Sequence, residues 1–90
     1  MTDKYEREYS VRIKADQPVY VIGVVSELVH IPIWTLRKLD DMEVVVAHRI
    51  GKNTRCYSQQ QIAKLNYIKY LMEERGVNIS AVKVVLEMRE

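Results

Sequence analysis

Three basic or hydroxyl side chains, Thr35, Arg37 and Lys38, follow Pro32-Ile33-Trp34 within one turn of chain. Such a group suits the recognition of phosphates and base edges, because a guanidinium fork meets both acceptors of guanine together. A second basic group, Arg49, Lys52 and Arg55, follows after a short gap, and Lys64 and Lys69 come next. From Val44 to Met72 there is no acidic residue, and these five cations make the window a basic face for a polyanion. The competing reading is an ordinary solvated surface, in which Arg37 pairs with Asp41 one helical turn on. Trp34 has two readings as well: an apolar contact to a thymine methyl or sugar, or a lid over a small core.

Other chemistries lack their parts. Cys56, His48 and His30 do not form the paired Cys and His spacing of a metal site, and Cys56 reads as a small buried apolar group. With Gly23, Gly51 and Gly76 as the glycines, there is no phosphate-cradling loop and no nucleophile elbow. The residues therefore point away from an enzyme, with no catalytic residue, no cofactor and no metal expected.

The elements that must position the basic residues follow from patterning. The chain has 90 residues, 48% of them hydrophobic and 29% charged, with a net charge of +2, which fits one small folded domain. No apolar run approaches membrane-spanning length, there is no signal pattern, and the one cysteine needs no oxidising compartment, so a cytoplasmic, nucleoid-associated location is expected.

Ile22, Val25, Leu28 and Val29 mark one face of a first helix. Pro32 ends that run and opens the next, from Ile33 to Met42, with Leu36 and Leu39 inward and Trp34, Arg37, Lys38 and Asp41 outward. Val44-Val45-Val46 reads as a strand, Gly51-Lys52-Asn53 as a turn, and Thr54 to Tyr57 as the returning strand. Ser58 with Gln61 forms a capping box for a third helix that stops at Gly76, and Asn78 caps a fourth. Tyr9 to Lys14 alternates apolar and polar residues and predicts either an extended arm or an extra strand that joins the hairpin's sheet. The expected fold is mainly α with a small β-hairpin: a four-helix winged helix-turn-helix over residues 18–90, preceded by an extension over 1–17.

The motifs Tyr20-Val21-Ile22-Gly23, Thr35-Leu36-Arg37 and Asn53-Thr54-Arg55-Cys56-Tyr57-Ser58, in this order and spacing, resemble the DNA-binding domain of MerR-family transcription regulators. Pro18-Val19-Tyr20-Val21-Ile22 and the stretch from Glu74 to Lys83 resemble the HspR-type heat-shock repressors of that family. The resemblance implies sequence-specific binding of double-stranded operator or promoter DNA by a regulator acting as a repressor. The segment from Ile33 to Met42 would be the recognition helix and Val44 to Tyr57 the wing, with Thr35, Arg37 and Arg55 at or near DNA. Where the family commonly carries two aromatics after the arginine, this chain has Lys38 and Leu39; where it usually has a turn glycine, this chain has His30.

Family members dimerise through a long C-terminal helix and carry an effector segment beyond it. This sequence shows neither by Glu90, so it is expected to be an excised domain or a short member. A homodimer would form through the missing C-terminal segment or the N-terminal strand. Two alternative functions stand beside the first. One is an excisionase-like architectural protein that bends DNA. The other is a winged-helix protein-interaction module that has lost DNA binding, suggested by the modest charge and the acidic group Asp40, Asp41 and Glu43.

Overall fold

A computed structural model describes residues 3–89 of the chain. The elements run α1 (Lys4–Tyr9), β1 (Tyr20–Val21), α2 (Ile22–Val29), α3 (Ile33–Asp41), β2 (His48–Ile50), β3 (Thr54–Tyr57), α4 (Gln59–Glu73) and α5 (Ile79–Arg89). The strands form one antiparallel sheet in the order β1-β3-β2, with Tyr20 opposite Tyr57, Val21 opposite Cys56 and Arg49 opposite Arg55. The four core helices and the hairpin stand as the patterning requires, with α1 as a fifth, separate helix.

One apolar cluster joins these elements. Val25 and Val29 of α2, Leu36 and Leu39 of α3, Tyr57 of β3, Leu65 and Ile68 of α4 and Val82 of α5 are all within 1% of full burial. Their spacings of three and four residues are those of a helix stripe facing a core. Leu28 departs from its expected place on that stripe: it stands on the solvent side of α2, and Val25 and Val29 carry the inward face.

The expected strand over Tyr9 to Lys14 is not formed. Asp3 and Glu6 make a capping box whose side chains bind each other's end of the first turn, and α1 takes up Tyr9. Residues 11–14 are exposed and belong to no strand; Lys14 closes a local turn, its amide donating to the Gln17 side-chain oxygen at 2.7 Å and its carbonyl accepting from the Gln17 amide at 3.1 Å. The free edge of β3 is filled instead by Tyr20–Val21, so the sheet gains its third strand from the chain just ahead of α2. The exposed N-terminal segment is tied to the domain where the Gln60 amide in the first turn of α4 donates to the Ala15 carbonyl at 3.1 Å. A dimer contact through an N-terminal strand has no such strand to use.

The hairpin also starts later than its β-branched run suggests. Val44 and Val45 are consecutive and both buried in a bend, which an alternating strand cannot achieve, and β2 begins at His48. Gly51 then takes the left-handed conformation (φ 63°) that the return to β3 requires.

Two helix ends set the placement of α3. His30, at the end of α2, is left-handed (φ 56°, ψ 42°), so the turn keeps the conformation glycine would supply, without a glycine. The Ser26 hydroxyl donates to the Ile31 carbonyl at 2.6 Å and braces that turn. At the other end, Glu43 is left-handed (φ 60°). Its amide donates to the Asp40 carbonyl and the Val44 amide to that of Leu39, both at 2.9 Å. These two bonds are a Schellman closure, completed by burial of Leu39 and Val44.

Candidate nucleic-acid interface

Helix α3 divides its residues cleanly. Thr35, Leu36, Leu39 and Asp40 are buried, and Trp34, Arg37, Lys38 and Asp41 are exposed on the opposite face. The exposed set has the i, i+3, i+4, i+7 spacing of a single helical face. Trp34 is 68% exposed, so it does not lid the core. Thr35 is 5% exposed and lines a small hollow with His30, Ile31 and Met72, turned from the outward face. Neither Arg37 nor Lys38 meets a carboxylate among the described residues; the Arg37–Asp41 pair of the competing reading is not made.

The wing arginines are arranged differently. Asp40, 8% exposed at the end of α3, accepts from Arg55 Nε at 2.8 Å and from Arg49 Nη2 at 3.2 Å, both on its Oδ2. One buried carboxylate thus ties both strands of the wing to α3. The hydrogen bond to Asp40 raises the Arg55 pKa further, so this guanidinium stays charged. Arg55 is 17% exposed and Arg49 44%. Lys52 stands exposed in the hairpin turn. Lys64, on α4, lies beside a hollow shared with Glu43, Lys83 and Glu87, in a setting of mixed charge rather than with the α3 face.

Tyr57 lies beneath this pair. Its side chain is fully buried and its hydroxyl has no hydrogen-bond partner. Burial first, and the Asp40 charge second, push its pKa up to about 12.

The wing is also fastened to α4. Ser58 and Gln61 form the expected capping box, with the Ser58 Oγ accepting from the Gln61 amide at 3.2 Å and the Gln61 Oε1 accepting from the Ser58 amide at 3.0 Å. The same Gln61 donates through Nε2 to the Val46 carbonyl at 2.6 Å. Cys56 is buried, as its apolar setting predicts. Among the described residues no group of three His, Cys, Asp or Glu side chains could hold a metal, and no helix is long and apolar enough to cross a membrane.

Sequence reasoning missed Asp40. Its signal is phase: it sits four residues after Leu36, on the buried stripe, where an unpaired carboxylate is costly and a cation from elsewhere in the fold must meet it.

A helix-turn-helix followed by a hairpin strapped to its second helix defines a winged helix-turn-helix domain. The model of the MerR helix-turn-helix family of regulatory proteins matches residues 20–89. The chain belongs to the MerR family. It is 30% identical over 82 residues to the heat shock protein HspR of Streptomyces coelicolor, covering 91% of this chain and 54% of that protein. It is 32% identical over 73 residues to the helix-turn-helix transcriptional regulators GlnR of Bacillus anthracis and Bacillus cereus, covering 81% of this chain and 56% of each. The chain spans about half the length of the curated relatives it matches.

Proposed function

We propose that residues 18–90 bind double-stranded DNA sequence-specifically, with α3 in the major groove and the wing over the flanking backbone, and that the protein represses transcription by occupying a promoter. The observation that carries this reading is the outward face of α3, where Arg37 and Lys38 stand exposed, with no ion-pair partner among the described residues, beside the exposed indole of Trp34. Arg37 is assigned to a base edge, Lys38 and Lys52 to phosphates, and Trp34 to a thymine methyl or sugar. Arg55 and Arg49 serve from the wing, placed by Asp40. Thr35 supports the reading helix from inside, and Lys64 contributes to the general field. The domain works without enzymatic chemistry.

Three unpaired cations on this surface give an expected log-log salt slope of roughly −3 in duplex affinity. The test is fluorescence anisotropy on random duplex and on a duplex pool enriched by selection, over about 50 to 200 mM salt. A slope near that value, with an enriched motif, supports the proposal. A flat, weak signal with no enrichment refutes it and favours the protein-interaction alternative, while bending of DNA at several adjacent sites favours the architectural one.

A further inference from the structure

We infer that Asp40 is the specificity-determining positioning residue of this surface: it occupies the wing arginines as an internal stand-in for phosphate and fixes which edge of Arg55 is offered to DNA. The inference rests on the DNA-binding reading above and deepens it.

The argument starts from which atoms are engaged. Asp40 grips Arg55 by Nε, at the base of the guanidinium, and the two Nη groups make no hydrogen bond among the described residues. A guanidinium is planar, so fixing Nε and the stem fixes the plane, while the Nη donors remain available. Arg55 is 17% exposed, so its side chain is confined as well as bonded. Arg49, from the neighbouring strand, shares the same Oδ2 through one Nη. Both cations therefore have a built-in anion at close range.

A phosphate oxygen arriving at the wing competes with this carboxylate for the same donors. On random DNA, where phosphates are all the protein meets, the competition weakens binding. On a matching site, the fixed Nη edge of Arg55 meets an acceptor or a groove of the right shape without having to be ordered first. The wing is linked through Asp40 to α3, so the reading helix and the wing arginine approach DNA as one rigid unit. A buried carboxylate among DNA-facing arginines lowers affinity in general and raises discrimination.

Two substitutions in the 90-residue chain test this, with selected and random duplexes measured side by side. Asp40→Asn removes the competing charge while keeping the side chain's size. It is expected to tighten random-duplex binding, steepen the salt slope by about 1 and lower the selected-to-random ratio about tenfold. Arg55→Lys keeps the charge but has no Nε–Nη fork. It is expected to weaken the selected duplex about tenfold more than the random one, with the salt slope following the retained charge. Thermal melts identify any Asp40→Asn sample that fails to fold, and Arg55→Lys then decides the matter.

The inference is overturned if Asp40→Asn, folded, leaves ratio and slope as they were or weakens both duplexes equally. It is overturned too if Arg55→Lys weakens random and selected duplexes alike. A wild-type chain with no salt-dependent duplex binding is a distinct result, which removes the DNA-binding reading itself.

Discussion

Glu43 occupies the one position at the end of α3 where a side chain is a handicap. It is left-handed (φ 60°) within a Schellman closure whose two hydrogen bonds are intact, so the backbone there is dictated by the fold. A side chain in that conformation costs about 1–2 kcal/mol relative to glycine. Glycine in turn loses about 0.5–1 kcal/mol through the greater freedom of its unfolded chain. A carboxylate at the negative end of the helix dipole adds a few tenths against Glu43. Glu43→Gly is therefore expected to stabilise the domain by about 1 kcal/mol, raising the melting temperature by roughly 4–8 °C. Glu43→Ala separates the causes, because it removes the charge and keeps the strained conformation; only the few tenths should return. Thermal melts of the three proteins at neutral pH, followed by circular dichroism, measure both steps. If Glu43→Gly destabilises, or if alanine stabilises as much as glycine, strain at this cap is not what the structure implies.

The remaining expectations concern Tyr57 and Gln61. The Tyr57 pKa is raised from 10.0 to about 12 in the folded state, so its contribution is fully present below pH 10 and is lost as pH rises toward 12. At about 1.4 kcal/mol per unit, alkaline titration of this group costs up to about 3 kcal/mol, a loss that Tyr57→Phe should lack in urea melts across that range. At pH 7 the same substitution should leave stability equal or slightly higher, since the hydroxyl it removes is buried without a partner; a loss above about 1 kcal/mol would contradict this. Gln61→Ala removes a cap and the link to Val46 together and should cost about 1–2 kcal/mol by denaturant melts, whereas Gln60→Ala should cost almost nothing; equal losses would count against the double role.

Much of this molecule was legible from spacing. The paired helices around Pro32, the Ser58 capping box and the stop at Gly76 each have a local cause, because the residues concerned interact within a turn or two of one another. The errors have a different origin. Tyr9 to Lys14 has strand periodicity, but a strand exists only where an edge is free, and Tyr20–Val21 holds that edge. The capping signal of Asp3 and Glu6, which starts a helix there, was local and went unread. Val44-Val45-Val46 is β-branched, yet the Schellman closure at Glu43 turns two of the three into the core. That closure was hidden because glutamate stands where glycine would announce it.

The site shows the same division. The outward phase of Trp34, Arg37 and Lys38 follows from the periodicity of one helix. The pairing of Arg49 and Arg55 with Asp40 spans nine and fifteen residues and depends on how the hairpin folds back. Charge counting treats those two arginines as free, and the structure shows them engaged.

The most direct measurement of the central claim, that α3 reads bases in the major groove, is methylation interference at guanine N7 on a selected duplex. A methyl there blocks the acceptor an arginine fork would use. The expected result is strong interference at a small set of guanines with the wild-type chain, disappearing for one of them with Arg37→Ala while interference elsewhere persists. A duplex that the wild-type chain binds tightly with no guanine sensitive to N7 methylation, or with a pattern unchanged by Arg37→Ala, would contradict it.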